Sequence, residues 1–345
     1  MIVASPGAET SGGRPPRIVF AVAGYPAIGL GHFYRALMFA REFPSARVSF
    51  FCMRPSAPFA VELASTAYPT AAQRGEAPAR EILRLAPDMV VNDFLDTEAA
   101  YMEVLKKAGV ALVNFEDQGP GADLADLVVN SVYESPEEQD GRRLYGHKFF
   151  CLRDEFLEAT PRSFHPSPER LLLTFGGTDP SDYTRQCLKA LYPVCRELGM
   201  TIRIVAGPGY AHVDALQSAL DGGLWPGVFF THVSNVMARE MQEADVAVCS
   251  AGRTVYELTH MRIPALVLPQ HEREERHGFA SEESGFLRLS VSEAGESGRI
   301  AGAFAALLAK RKALYDNMSR YDFSGNKAGL VRRMAALLEE KTSLE

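Results

Sequence analysis

Short runs rich in β-branched and aromatic residues alternate along the chain with longer stretches whose apolar positions recur at helical spacing. That alternation predicts βα units around a mainly parallel sheet. A first series places strands at Arg17 to Ala23, Arg47 to Cys52, Met89 to Val91, Val110 to Phe115 and Leu127 to Val129. Helices are expected at Gly31 to Phe43 and Thr97 to Lys107. A second series has strands at Leu171 to Phe175, Thr201 to Ala206, Val228 to Thr231, Val246 to Cys249 and Ala265 to Leu268. Its helices fall at Asp182 to Leu198, Asn235 to Glu243, Thr254 to Met261 and throughout the region after Glu293. Three prolines between Pro161 and Pro168 interrupt helix and sheet alike and separate the two series.

The pattern predicts two Rossmann-like α/β domains whose strand ends surround one crevice. The expected divisions are a flexible leader at residues 1–16, an N-terminal domain at 17–160 and a linker at 161–168. A nucleotide-binding domain at 169–330 and a C-terminal helix and tail at 331–345 complete the chain. A length of 345 residues accommodates two cores.

Composition excludes several classes. With 47% apolar and 23% charged residues the chain is neither disordered nor fibrous. A net charge of −7 argues against a broad nucleic-acid surface while leaving room for a local anion pocket. The five cysteines lack CxxC spacing, which suits reduced thiols and a cytoplasmic location. No continuous apolar run is long enough to span a bilayer, and the leader lacks the apolar segment of a signal peptide.

Four strings at strand ends carry candidate chemistry. In Gly24 to Arg35, Gly29 and Gly31 permit a tight turn and close approach of a ligand, and His32 opens the following helix. A neutral imidazole there could serve as general base or simply cap the helix. Arg35 could hold a substrate anion or pair with a carboxylate. In Gly176-Gly177-Thr178-Asp179-Pro180 a sharp turn leads into a helix, either offering amides to a diphosphate or acting as an ordinary cap. In Ser250 to Leu258 the residues Ser250, Gly252, Arg253 and Thr254 suit phosphate, and Glu257 could accept both hydroxyls of a ribose or lie solvated. In Pro269 to Phe279 the residues His271 and His277, with Glu272, Glu274 and Glu275, invite a metal reading, but HExxH is absent and a charged, solvent-facing helix start is the preferred account. No metal and no cofactor are expected. His271 or Glu272 lining the cleft is the functional alternative.

Together the GxGHxxR string at Gly29 to Arg35, the GGTDP turn at Gly176 to Pro180 and SAGRTVYEL at Ser250 to Leu258 resemble one family. It is that of the UDP-2,4-diacetamido-2,4,6-trideoxy-β-L-altropyranose hydrolase of pseudaminic acid biosynthesis and its spore-coat polysaccharide relatives. The resemblance spans roughly residues 17–330. It implies a GT-B fold, a UDP-sugar or other nucleotide-sugar substrate, diphosphate on the second domain's loops, ribose at Glu257 and water activation by His32. The sequence departs from the family where a tyrosine-bearing segment is replaced by Asn92-Asp93-Phe94-Leu95-Asp96, and where an Asn-Gln pair is replaced by His271-Glu272. Asp93, Asp96 and Glu116-Asp117 are the acidic candidates to meet the sugar instead, or to cap loops.

The leading expectation is a hydrolase releasing nucleoside diphosphate and free sugar, with His32 as base. A glycosyltransferase using the same donor is the alternative, because one imidazole can deprotonate either water or an acceptor hydroxyl. A binding protein without turnover is the third. The pattern leaves the sugar, the base and the oligomeric state open.

Overall fold

The computed structural model describes residues 14–342 apart from 26–28, 57, 136–140 and 235. Most of the expected leader, the last three residues of the tail, Pro26 to Ile28 of the first glycine turn and the expected helix start at Asn235 lie outside the described residues.

The N-terminal half runs β1 (Arg17–Val22), α1 (Gly31–Ala40), β2 (Arg47–Cys52), α2 (Pro58–Ser65), β3 (Thr70–Ala72), α3 (Pro78–Leu83), β4 (Met89–Asp93), α4 (Ala99–Lys107), β5 (Ala111–Phe115), β6 (Leu127–Asn130) and β7 (Arg143–Tyr145). Its seven strands are parallel in the order β3-β2-β1-β4-β5-β6-β7. Strand β1 shows why. Ile18, Phe20 and Val22 pack on one face with α1, whereas Val19 and Ala21 pack on the other against Ile82, Met102 and Leu105. A parallel sheet covered on both faces needs such an unbroken apolar run.

After α5 (Asp154–Leu157) the second half continues through β8 (Arg170–Thr174), α6 (Tyr183–Glu197), β9 (Thr201–Ala206), α7 (Val213–Asp221), β10 (Val228–His232), α8 (Met237–Gln242), β11 (Val246–Cys249), α9 (Thr254–Met261), β12 (Ala265–Val267), α10 (Glu272–Glu275), β13 (Phe286–Arg288), α11 (Ser297–Met318) and α12 (Asn326–Thr342). Its sheet repeats the plan, β10-β9-β8-β11-β12-β13, again parallel. Strands β3, β7 and β13 did not stand out in the sequence. Each has three residues at or beside a sheet edge, too few for a period.

Among the described residues, packing passes from one core to the other ahead of the Pro161 to Pro168 segment and returns at the C-terminal helix. Phe150, Leu152 and Phe156 already belong to the core of the second half, ahead of that segment. Helix α12 returns to the first half, where Leu330, Met334 and Leu338 join the core around Phe20 and Phe33.

Candidate active site

In each sheet the strand order reverses next to the first strand, so β1 neighbours β4 and β8 neighbours β11. Loops diverge at such a point and leave a crevice beyond the carboxyl ends of the strands. Both crevices open into one cavity of about 270 Å³, lined from the first half by residues including Gly29, Gly31, His32 and Glu116. The second half contributes Gly176, Gly177, Thr178, Ser250, Gly252, Arg253, Thr254, Glu257 and His271 among others.

Pairing of Val22 with Asp93 in the β1–β4 register carries the end of β4 beside the start of α1. His32, at the second position of α1, is buried, and its Nδ1 lies 2.6 Å from Asp93 Oδ1. A carboxylate only accepts, so Nδ1 carries a proton, and in the neutral ring of this tautomer Nε2 keeps its lone pair. One turn on, Arg35 donates from Nε to Asp93 Oδ2 at 2.7 Å and from Nη2 to Oδ1 at 2.5 Å. Its Nη1 bonds Glu116, and its guanidinium lies 4.9 Å from the Phe115 ring centre.

Burial opposes charge on both Arg35 and Glu116, yet their mutual attraction and Asp93 raise the guanidinium's pKa and hold the Glu116 carboxyl below the usual carboxylate range. Arg35 is therefore a carboxylate partner outside the cavity wall and not a ligand for substrate anions. Asp117 also lies behind the wall. Its oxygens accept from Thr97 N and Oγ1, Gly119 N and Asn114 Nδ2 at 2.5–2.9 Å, which pins two loops together. Asp96 is spent on a two-pronged contact with Arg273 of α10, at 2.7 and 2.9 Å. For Asp96 and Asp117 the loop-holding alternative describes the geometry, because protein donors occupy both oxygens of each carboxylate.

Glycines bring the two halves together. A Cβ on Gly31 would stand 3.1 Å from Arg253 Cδ, and one on Gly177 would stand 3.2 Å from Leu30 N. Gly207, which sequence inspection passed over, is tighter still: its Cβ would fall 2.4 Å from Gly177 Cα. The only signal for it was a glycine directly after an apolar strand. Asp179 caps α6, accepting from Tyr183 N at 2.9 Å and Thr184 N at 2.8 Å, so those amides are not open to a ligand.

The turn from β11 into α9 offers more. Arg253 sits over the Phe150 ring at 4.6 Å and donates from Nη2 to the Cys151 carbonyl at 3.1 Å. Among the described residues no carboxylate lies within ion-pair reach of it. Burial and the nearby Arg35 charge lower its pKa. It is a cation facing the cavity that Glu116, Glu257 and Asp93 attract from beyond ion-pair distance. Glu257 is buried on the first turn of α9, where Arg153 Nε donates to its Oε1 at 3.0 Å. No local pattern announced Arg153, since the contact joins positions 104 residues apart.

His271 is the N-cap of α10, its Nδ1 accepting from Glu274 N at 3.2 Å, so its proton is on Nε2. His277 is the opposite tautomer, since Nδ1 meets the Ala251 carbonyl at 2.6 Å and must donate. Burial lowers the pKa of both rings, keeping them neutral. Phe94 packs edge-on to Tyr101 with ring centres 5.7 Å apart. Among the described residues no group of three or more His, Cys, Asp and Glu side chains is arranged to hold a metal ion, and no helix is long and apolar enough to cross a membrane.

No protein-family model matches the chain. Among curated proteins it is 26% identical over 274 residues to an uncharacterized protein of Methanocaldococcus jannaschii, MJ1062, a match covering 74% of this chain and 56% of that protein. It is 26% identical over 203 residues to the spore coat polysaccharide biosynthesis protein SpsG of Bacillus subtilis, covering 56% and 59% respectively. The chain thus spans less than two thirds of the length of both relatives. Among solved structures, MurG of Acinetobacter baumannii superposes with a TM-score of 0.64 at 16% identity, covering 93% of this chain and all of that one (100%). HepE of Anabaena, in complex with UDP and glucose, gives 0.57 at 13% identity over 92% and 99%. CalG4, the calicheamicin glycosyltransferase, gives 0.61 at 15% identity over 94% and 99%. The chain has the GT-B fold. Its two Rossmann-like halves are those the sequence pattern predicted.

Proposed function

We propose that the chain is an enzyme that moves the sugar of a nucleotide sugar onto an acceptor hydroxyl, with His32 as the base. The observation that carries this reading is the His32–Asp93 pair at the cavity wall, in the same cavity as the cation Arg253. In the step envisaged, the acceptor oxygen attacks the anomeric carbon while the bond to the diphosphate breaks. The hydroxyl proton passes to His32 Nε2, and Asp93 stabilises the imidazolium. The leaving diphosphate keeps the bonding pair, and Arg253 with the amides of Gly252 and Thr254 offsets its growing charge. Glu257, positioned by Arg153, would receive the ribose hydroxyls.

A GT-B fold shared with glycosyltransferases supports transfer, and binding of UDP by HepE supports a uridine nucleotide as the first ligand to try. The SpsG likeness fits a role in surface-polysaccharide synthesis. Hydrolysis, with water in place of the acceptor, is the second reading, favoured by the GxGHxxR, GGTDP and SAGRTVYEL strings.

The test begins with thermal shifts against UDP, CDP, GDP and TDP, because a ligand of the folded state raises apparent stability. The matching sugar nucleotides follow, with and without hydroxyl acceptors. Turnover only with acceptor supports transfer, and free sugar without acceptor supports hydrolysis. Binding without turnover under both conditions, or a His32→Ala variant of undiminished rate, overturns the proposal.

A further inference from the structure

Glu274 lies in the Pro269 to Phe279 string and has no part in the reaction above. Its Oε2 accepts from Gln270 N at 2.8 Å and from Ala251 N at 3.3 Å, the amides just past β12 and β11. Amides in that place are what an anionic ligand would use at a switch point, so the carboxylate fills part of an anion seat. Its Oε1 borders the neighbouring turn, where a Cβ on Gly252 would stand 3.6 Å away, and Glu274 itself lines the cavity. Among the described residues no Lys or Arg forms an ion pair with it.

The groups around Glu274 do little to hold its charge. Arg288 of β13 spends its guanidinium on the carbonyls of Glu274, Glu275 and His277 and lowers the carboxyl's pKa only weakly. His271 and His277 flank it as neutral rings. Cys249 at the end of β11 and Tyr183 of α6 face it as a thiol and a phenol, each pushed further from ionising by its charge. Asp179, bonded to the Gln270 side chain, adds only negative charge to this side. Burial pushes the Glu274 carboxyl up to about 7.

We propose that Glu274 couples nucleotide binding to uptake of a proton: its carboxyl is protonated when a diphosphate seats on the Ser250–Thr254 turn, and it then donates a hydrogen bond to a phosphate oxygen. This rests on the reading that the diphosphate lies at that turn. Two anions cannot share these amides without repulsion, whereas a neutral carboxyl turns the clash into a donor. Affinity then falls with rising pH once the free site has lost its proton, by up to about tenfold per pH unit.

The probe is UDP-N-acetylglucosamine, whose diphosphate has no group titrating near neutrality, followed by calorimetry in buffers of differing ionisation enthalpy. Wild-type protein should bind at least about tenfold more weakly at pH 8.5 than at 6.5 and take up close to one proton per site at pH 8. Glu274→Gln should bind with a flat pH profile, and at pH 8.5 about tenfold more tightly than wild type. A merely structural tie between the two loops would shift affinity equally at every pH. A flat wild-type profile without proton uptake overturns the inference while leaving the nucleotide site standing, and so does a Glu274→Gln profile with the wild-type slope. If the glutamine variant fails to fold, the wild-type proton count decides alone. Absence of binding by any nucleotide at any pH overturns the site reading, and this inference with it.

Discussion

Asp93→Asn tests the heart of the proposed chemistry, because one atom changes and three contacts respond. Asp93 Oδ1 accepts from His32 Nδ1 and Arg35 Nη2, and Oδ2 accepts from Arg35 Nε. An asparagine amide must put a donor against one of these donors. Placed at Oδ1, it faces both His32 and Arg35 Nη2, forces the ring proton onto Nε2 and removes the base; placed at Oδ2, it faces Arg35 Nε, and either way the buried guanidinium keeps Glu116 as its one carboxylate. Breaking a buried ion pair costs about 3–5 kcal/mol, and the retained Glu116 contact places this change near about 3 kcal/mol. For a domain of this size that lowers Tm by roughly 6–12 °C. Loss of a correctly oriented base should reduce kcat about 100- to 10,000-fold. The assay is steady-state turnover with the sugar nucleotide found by thermal shift, alongside equilibrium binding of the free nucleotide at a temperature where the variant is folded. Nucleotide affinity should stay within about threefold of wild type, since among the described residues the Asp93 carboxylate bonds to His32 and Arg35 and meets Arg253 only at longer range. Adding His32→Ala should cost little more than either change alone, because the two residues act as a unit. A kcat/KM close to wild type, or a loss lying wholly in nucleotide affinity, would refute the argument.

Other expectations follow from the same geometry. Arg253→Gln should weaken nucleotide binding about 10- to 100-fold, with reduced salt sensitivity, and change Tm little, because the burial cost of the guanidinium and its attraction to Glu116, Glu257 and Asp93 oppose one another; titration and melting curves check both. Gly207→Ala should lower stability by about 1–3 kcal/mol and displace the Gly176-Gly177 turn, which denaturant melts and loss of nucleotide binding would reveal. Burial raises the Glu116 carboxyl and Arg35, aided by His32 and Arg253, more than reverses this, so the folded value lies below its ordinary 4.5. Its stabilisation is therefore complete above about pH 4.5 and fades as pH falls below it. Melting curves should show Glu116→Gln less stable than wild type at pH 7, with the gap narrowing toward about pH 3.

The halves and the strings at strand ends were legible because they are local. A buried parallel strand is an unbroken apolar run whatever surrounds it, and Arg47–Cys52, Thr201–Ala206, Val246–Cys249 and Thr254–Met261 keep their expected bounds. The edge strands β3, β7 and β13 and the return of α12 to the first half were not visible, since three residues have no period and a helix does not name the surface it covers. In the site, the string predicted His32 but not that Asp93, 61 residues on, orients it, nor that Arg35 binds that same carboxylate.

Local residue pattern alone determined two βα-repeating units and the strand ends bearing glycine, histidine and arginine, because backbone period and turn chemistry depend on neighbours in the chain. Only the tertiary structure decided which carboxylates were spent on arginines and amides and which atoms faced the cavity. Protonation, tautomer and pairing depend on distances of a few ångströms between residues brought together by strand order, and those distances are written in no single stretch of sequence.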